Sequence, residues 1–466
     1  MTAHGENGTG ASAARREAEA AGAVRITDTD ASGRGVGRMD DGLAVFVPGL
    51  IPGDLAFVTI ERMKRRFAVA SLKRLIEPSP NRVAPLCAQF SRCGGCSLQH
   101  MRYPEQARMK ERLVETALVR IGGVRAPVIR PIVAMENPWR YRNKARYAVE
   151  GARVGFYAAE SHALADAPDC LIQAPPANAL AGVLRRFAAA SRRADRTADL
   201  VRGLTVRTAF GTGEVMAVLS VSESRPRGAG SLLAAMGEAV SALPPGENGA
   251  TYSLESVVFV PPDAGVRPVL AAGKGTISER LGELHFDISP HAFFQVNPAG
   301  ARALWDPVTK YADLRRRDTV FDLYCGAGVL GLRCAGAAGR VVGVESDASA
   351  VADARRNAAR NGIANAVFVR DLAERALPAL LARERPRTVI LDPPRAGCRA
   401  ELLSAIAAGA PARIVYVSCD PATLARDVKR LTAAGYAFVE ATPVDMFPHT
   451  GHVECVVSLH HSDRRV

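Results

Sequence analysis

The chain predicts an α/β protein in three folded parts: a doubly wound domain over residues 286–466, an OB-like β-barrel over 23–76, and a central α+β region over 77–285. Residues 1–22 are expected to be a disordered tail. Three observations lead there. After His285, short β-branched runs alternate with helical patterns to the end, as a doubly wound sheet requires. Before about residue 77, short β-like runs are separated by tight turn signals. A length of 466 residues also suits roughly three domains at ~150 residues each.

Composition narrows the partners. Lys and Arg number 60 against 47 Asp and Glu, giving a net charge of +13 and a pI near 9.6. That balance favours a polyanionic partner, most simply a nucleic acid. The apolar fraction is 48% and the mean hydropathy +0.02, and no apolar run approaches the ~18–20 residues of a membrane span. The first 22 residues lack the apolar core of a secretory signal. A cytoplasmic, monomeric protein without a membrane partner is expected. Nine cysteines (87, 93, 96, 170, 325, 334, 398, 419, 455) form no regular disulfide framework. In a reducing cytosol, clustered thiols point to metal binding or catalysis.

The barrel strands are Val24–Ile26, Leu43–Val47, Ala56–Ile60 and Phe67–Ala70, with turns at Asp41-Gly42 and Pro52-Gly53-Asp54. Arg62, Lys64, Arg65, Arg66, Lys73, Arg74 and Arg82, against Glu61 and Glu77, make an electrostatic track for a phosphate backbone. A merely solvated basic face is the alternative. The stretch resembles a TRAM domain, an RNA-binding module appended to RNA-modifying enzymes.

Cys87-x5-Cys93-Gly94-Gly95-Cys96 follows. Three thiols around a Gly-Gly that lets the backbone wrap closely make a metal or cluster loop, and Cys170 is the thiol left to complete four ligands. Four soft thiolates fit zinc or an iron–sulfur cluster. The spacing is not the Cys-x3-Cys-x2-Cys of radical enzymes. Pro104–Gly122 reads as an amphipathic helix with Met109, Leu113, Ala117 and Ile121 on one face. Trp139–Tyr147 interleaves aromatic and basic residues, either as a stacking surface for single-stranded RNA or as an ordinary basic strand. Strands from about 200 to 288 carry little chemistry of their own. Phe293-Phe294-Gln295-Val296-Asn297 then leads into a helix from Pro298 to Tyr311.

The chemistry lies at strand ends. Thr319–Tyr324 runs into Cys325-Gly326-Ala327-Gly328-Val329-Leu330-Gly331, a Gly-rich turn that lets backbone approach a nucleoside cofactor. The next strand ends at Glu345, suited to ribose hydroxyls, and a third ends near Asp371. A fourth ends at Asp392-Pro393-Pro394-Arg395, and a fifth, Ala412–Val417, ends at Ser418-Cys419-Asp420-Pro421. Ligands of open α/β sheets bind beyond such ends, so these residues should share one crevice. Asp420 suits a helix N-cap and Pro421 the first helical position. The helix amino end would lower the Cys419 thiol pKa, with Asp420 opposing.

Asp-Pro-Pro is typical of base-modifying methyltransferases. Those acting on exocyclic amines place an aromatic residue next, where this chain has Arg395. Enzymes making 5-methylcytosine in RNA place a Cys after a Pro of this motif, which this chain does not. One thiol and one candidate base suit uracil C5. Thiolate addition at C6 makes C5 nucleophilic toward a sulfonium methyl, and Glu454, in Phe447-Pro448-His449-Thr450-Gly451-His452-Val453-Glu454, is the candidate base for the C5 proton.

From about residue 23 to the end, these motifs together resemble the RNA 5-methyluridine methyltransferase family, and among them the TRAM-bearing iron–sulfur members acting on 23S ribosomal RNA. The resemblance implies a Rossmann-like S-adenosylmethionine-dependent methyltransferase domain and a central α+β iron–sulfur RNA-binding domain. It implies a [4Fe-4S] cluster on Cys87, Cys93, Cys96 and Cys170. Gln295, Tyr324, Glu345 and Asp392 would contact the methyl donor S-adenosyl-L-methionine or the flipped uracil. Cys419 would be the nucleophile and Glu454 the proton acceptor. Ribosomal RNA is the first expectation for the partner and transfer RNA the second. A non-catalytic iron–sulfur RNA-binding protein leaves the Cys419/Glu454 pair idle. An NAD-dependent reductase, suggested by the glycines, leaves Asp-Pro-Pro-Arg and Ser-Cys-Asp-Pro unused.

Overall fold

The computed structural model describes residues 22–191, 201–223, 229–261 and 268–463. The expected tail therefore lies, save for Gly22, outside the described residues. The chain divides into two compact units. The first takes the residues up to Phe90 with Cys96–Leu113 and Phe447–His452; the second takes Ser91–Gly95, Val114–Met446 and Val453–Val466.

The first unit is built on a closed barrel of β1 (Ala23–Thr29), β2 (Gly35–Arg38), β3 (Ala44–Val47), β4 (Leu55–Met63) and β5 (Phe67–Glu77), in the order β1-β2-β3-β5-β4. Val24, Ile26, Val45, Val47, Ala56, Val58, Ala68 and Ala70 alternate inward to fill it, as period-2 patterning dictates. β2 is the strand that the sequence did not announce. Its Gly35 and Gly37 conceal the pattern, yet a Cβ at Gly37 would come within 2.5 Å of Val24 Cγ1. Helix α1 (Tyr103–Arg120) begins in this unit. Gln106 and Lys110 are buried on it, while Ile121, expected on the apolar face, is 41% exposed. Hydrogen bonding accounts for this: Gln106 Nε2 donates to Leu98 O and Met101 O at 2.9 and 2.8 Å, and Lys110 Nζ donates to Phe447 O at 3.0 Å.

The second unit holds two seven-stranded sheets. The central sheet takes β6 (Lys144–Glu150), β7 (Arg153–Tyr157), β8 (Leu164–Asp166), β9 (Val201–Thr208), β10 (Glu214–Val221), β11 (Ser253–Val260) and β12 (Val269–Gly273), in the order β12-β11-β10-β9-β6-β7-β8. Helices α2 (Pro175–Ser191) and α3 (Ala229–Ser241) contribute Leu180, Leu184, Leu232 and Met236 to its core. Of Trp139–Tyr147, the last four residues open β6, and burial alternates from Tyr141 onward. Tyr141 and Tyr147 are buried, and Tyr147 packs on Phe156 with ring centroids 4.7 Å apart. Arg140 pairs with Asp169 at 2.8 Å. Alternation at period 2 sends the tyrosines inward, so they are not stacking platforms.

A hairpin, β13 (Ile277–Leu281) and β14 (Leu284–Ile288), leads to α4 (Pro298–Ala312). The C-terminal sheet then takes β15 (Thr319–Leu323), α5 (Val329–Ala335), β16 (Arg340–Glu345), α6 (Ala348–Arg360), β17 (Ala366–Arg370), α7 (Ala373–Arg383), β18 (Thr388–Leu391), α8 (Ala400–Gly409), β19 (Arg413–Ser418), α9 (Pro421–Ala433), β20 (Tyr436–Val444) and β21 (Glu454–His461). Its order is β17-β16-β15-β18-β19-β21-β20, parallel except for β21, which runs antiparallel to both neighbours. The chain winds outward one way from β15 and the other way from β18, so the switch point, where such sheets bind ligands, lies between them.

Candidate active site

Register brings the acidic and thiol residues to one edge. Leu323 pairs with Val344 on one side and Leu391 on the other, which sets Glu345 and Asp392 level with the residue following β15. Ser418 of β19 pairs with Cys455 of β21. Because β21 runs the opposite way, its first residue, Glu454, falls opposite Cys419. Two residues far apart in sequence thus meet through the sheet's single antiparallel insertion.

Each side chain is held from its own element. Asp322, fully buried, accepts from Gly331 N at 2.8 Å through Oδ2, while its Oδ1 is buried without a hydrogen-bond partner. Glu345 accepts from Gly326 N at 3.2 Å and from Asp347 N at 2.8 Å. Cys419 sits between Ser418 and the N-cap Asp420, whose Oδ1 accepts from Ala422 N and Thr423 N at 3.0 and 2.9 Å. Asp420 and Pro421 thus begin α9 as capping rules require. Gln295 is half-buried, and its carbonyl accepts from Asn143 Nδ2 at 3.0 Å. The buried Arg207 guanidinium donates to Pro290 O at 3.2 Å and to Ala292 O. The segment bearing Gln295 and the exposed Phe293 is therefore strapped to the central sheet.

Electrostatically the crevice is short of cations. Burial pushes the Asp322 carboxyl up to about 7, with Asp392 and Glu345 adding to the rise. Desolvation pushes Asp392 up to about 7. Burial pushes Glu454 up to about 8, Asp392 raising it further and Arg395 lowering it. The Cys419 thiol is pushed up to about 11 by burial and then by Glu454, with Arg395 pulling the other way. The helix amino end therefore does not win at Cys419: desolvation and the neighbouring carboxyl outweigh it, correcting the sequence expectation of a lowered thiol. Free of substrate, the site pairs a neutral thiol with a largely protonated Glu454 near pH 7. A buried, unpartnered carboxyl oxygen and Glu345 at the end of β16 suit a cationic nucleoside donor.

Two further residues at strand ends are held by neighbours on α7 and its entry. Tyr324 has φ 65°, in the left-handed region, and its hydroxyl donates to Glu374 Oε1 at 3.3 Å on α7. Asp371 caps Leu372 N at 2.8 Å and pairs with Arg375, as a structural end to β17. The four cysteines at 87, 93, 96 and 170 are each half-buried. Among the described residues, no group of three or more His, Cys, Asp or Glu could hold a metal ion. Gly94 has a role in the second unit: its N donates to Tyr157 O at 3.0 Å, and a Cβ would meet Ala159 N at 3.0 Å. The sequence reading passed over Arg395 as a departure and did not single out Arg207. The signal for the first was its place after Asp-Pro-Pro; the second had none, because Arg207 is buried on the face of β9 opposite Leu204 and Val206. Among the described residues, no helix is long and apolar enough to cross a membrane.

Similarity to known proteins agrees with this geometry. Residues 276–462 match the family described as tRNA (Uracil-5-)-methyltransferase, and residues 23–73 match the TRAM domain. An uncharacterized RNA methyltransferase of Caldanaerobacter subterraneus is 39% identical over 444 residues, covering 93% of this chain and 96% of that one. One from Clostridium tetani is 36% identical over 452 residues, covering 93% and 95%. Among solved structures, the tRNA (uracil-54, C5)-methyltransferase of Pyrococcus abyssi, in complex with S-adenosyl-L-homocysteine, is similar with a TM-score of 0.72. It is 27% identical, covering 94% of this chain and 99% of that one. The chain belongs to the tRNA (uracil-5-)-methyltransferase family, an RNA methyltransferase that carries an N-terminal TRAM barrel.

Proposed function

We propose that the protein methylates C5 of a uridine in RNA through a covalent bond between Cys419 and uracil C6. The observation that supports this reading is the register of β19 and β21, in which Ser418 pairs with Cys455 and the next residues outward are Cys419 and Glu454. S-adenosylmethionine supplies an electrophilic methyl group when bound. Glu345 would hold the donor's ribose, and Gln295, Tyr324 and Asp392 would contact donor or base. Cys419 gives its proton up to solvent and its sulfur bonds to C6, which breaks the C5–C6 π bond and leaves an enolate that is nucleophilic at C5. Once C5 has taken the methyl, Glu454 accepts the C5 proton, C5–C6 unsaturation returns and the sulfur leaves. Both steps need the ionised forms, so approach of the base and Arg395 must offset the desolvation described above. Reading a buried carbon requires the base to be flipped out of its stack, which an unpaired loop makes cheapest.

On this proposal the parts divide as 23–76 for RNA binding, 77–285 for a central RNA-binding domain and 286–466 for methyl transfer, in a cytoplasmic monomer. Large-subunit ribosomal RNA is the proposed substrate, and transfer RNA is the second reading because the Pyrococcus relative is a tRNA (uracil-54, C5)-methyltransferase. A [4Fe-4S] cluster on Cys87, Cys93, Cys96 and Cys170 rests on thiol chemistry alone: these four are half-buried, whereas Cys325, Cys334, Cys398 and Cys455 are buried. No catalytic step runs through it. The test is methyl incorporation from labelled donor into 23S rRNA and tRNA transcripts. Iron and labile sulfide are assayed on the same oxygen-free preparation. Wild type should give 5-methyluridine in rRNA, and Cys419→Ala should lose at least about a thousandfold in turnover while still binding RNA. Turnover by Cys419→Ala at the wild-type rate would exclude the mechanism.

A further inference from the structure

The basic half of the run at 139–147 has a face of its own. Alternation along β6 sends Ala145 and Tyr147 into the core shared with α2 and α3, and Lys144 and Arg146 to the opposite face. Register sets Lys144 directly opposite Arg207 of β9, and Arg146 opposite Thr205. The Cβ atoms of such a cross-strand pair stand about 4.5–5.5 Å apart, so two cations share one small area of the sheet. Arg142 lies two residues before Lys144 and is half-buried like it, while Arg146 is exposed. Cations at either end of this row have structural partners: Arg140 pairs with Asp169 at 2.8 Å, and Arg153 with Glu150 at 2.6 Å. Among the described residues, Arg142, Lys144 and Arg146 form no ion pair. Burial pushes the Lys144 ammonium down to about 8, and Arg207, Arg146 and Arg142 add to the fall.

Like charges set opposite each other across two strands cost stability, and what this row lacks is an anion. It also has a fixed place relative to the crevice. Asn143, between Arg142 and Lys144, donates from its N to Val296 O at 2.8 Å and from Nδ2 to Gln295 O at 3.0 Å. In the same segment Phe293 reaches the Gly-rich turn, where a Cβ on Gly326 would stand 4.0 Å from its Cδ1. The segment thus touches β6 on one side and the donor turn on the other. We propose that Arg142, Lys144 and Arg146 bind the phosphodiester backbone of the substrate RNA on either side of the uridine that enters the crevice. Guanidinium and ammonium groups donate to phosphate oxygens, and the polyanion supplies the charge that the row lacks. The proposal rests on the reading of the crevice as the place of methyl transfer.

Filter binding of the full-length protein to labelled 23S rRNA and tRNA transcripts is followed from about 0.05 to 0.5 M salt. Each phosphate contact on a single strand contributes roughly 0.7 to the slope of log Kd against log salt. Lys144→Gln and Arg146→Gln should each lower the slope by about that amount and weaken binding about fivefold near 0.1 M salt. Arg317→Gln, which removes an exposed cation just ahead of β15, should leave the slope unchanged. Lys144→Gln also relieves the repulsion from Arg207, so it should melt no lower than wild type while binding RNA less tightly. If that variant does not fold, Arg146→Gln, on an exposed side chain, carries the test. On a synthetic loop spanning the methylated uridine, neutral methylphosphonate linkages flanking it should weaken wild type and remove its advantage over Lys144→Gln. Wild-type slopes in both Lys144→Gln and Arg146→Gln, or an equal fall in Arg317→Gln, would overturn the phosphate row. An advantage that survived the neutral linkages would overturn its place beside the uridine. A wild-type protein that transferred no methyl to either transcript would instead overturn the reading of the crevice, so the two failures are distinguishable.

Discussion

Asp322 shows at one residue what the crevice costs. Its carboxyl is fully buried, one oxygen is unpartnered, and its neighbours Asp392 and Glu345 are acids. The folded protein keeps this proton up to about pH 7, whereas the unfolded chain releases it near 3.8. A folded pKa raised above its unfolded value contributes stability that is fully present below about 3.8 and is lost as pH rises from there through about 7. Asp392 and Glu454 share that sign, Glu454 losing its contribution toward about pH 8. Asp322→Asn, which can still accept from Gly331 N, should therefore stabilise the protein at pH 8 and change little at pH 3.5. Thermal melts at the two pH values check it, with a gain of roughly 2 kcal/mol, or about 4–8 °C, expected at pH 8. A loss at both pH values would show that the carboxyl is not the liability. Residue types at the strand ends announced this cluster, since Asp322, Glu345 and Asp392 each follow or end an apolar run. Their effect on Cys419 was not legible, because desolvation depends on burial that no local pattern states.

At the scale of elements, the sheet explains why distant motifs act together. The parallel strands from β15 to β19 could be read from alternating apolar runs and helical periods. The place of Glu454 could not, because it depends on β21 entering antiparallel between β19 and β20. The aromatic and basic run at 139–147 misled in a related way, since both residue types alternate and only the fold decides which face is inside. Close packing of elements is equally hidden. A Cβ at Gly343 in β16 would stand 2.5 Å from Phe368 Cδ1 and 2.9 Å from Cys325 Sγ. Gly343→Ala should cost about 1–3 kcal/mol, because a packed core yields only by straining its neighbours. Chemical denaturation measures it, and Phe368→Leu in the same chain should recover part of the loss. An alanine variant as stable as wild type would mean that β16 and β17 are packed less tightly than described.

For the molecule as a whole, two sets of features carry the functional reading. The barrel and the basic composition pointed to RNA before any fold was known, and the match of residues 23–73 to the TRAM domain agrees. The crevice of the C-terminal sheet supplies a half-buried thiol and a buried carboxyl. The cysteine spacing was as legible as any motif in the chain, and the iron and labile-sulfide assay tests the thiolate cage it suggests. Methyl transfer by the proposed route is redox-neutral and does not depend on such a cage. Its central claim is a bond between the Cys419 sulfur and a pyrimidine ring. The direct measurement uses RNA in which the target uridine is 5-fluorouridine, incubated with enzyme and donor, then digested and mapped by mass spectrometry. A stable protein–RNA adduct at Cys419, absent from Cys419→Ala, is the result predicted. An active enzyme that formed no adduct, or formed it at another residue, would contradict the account.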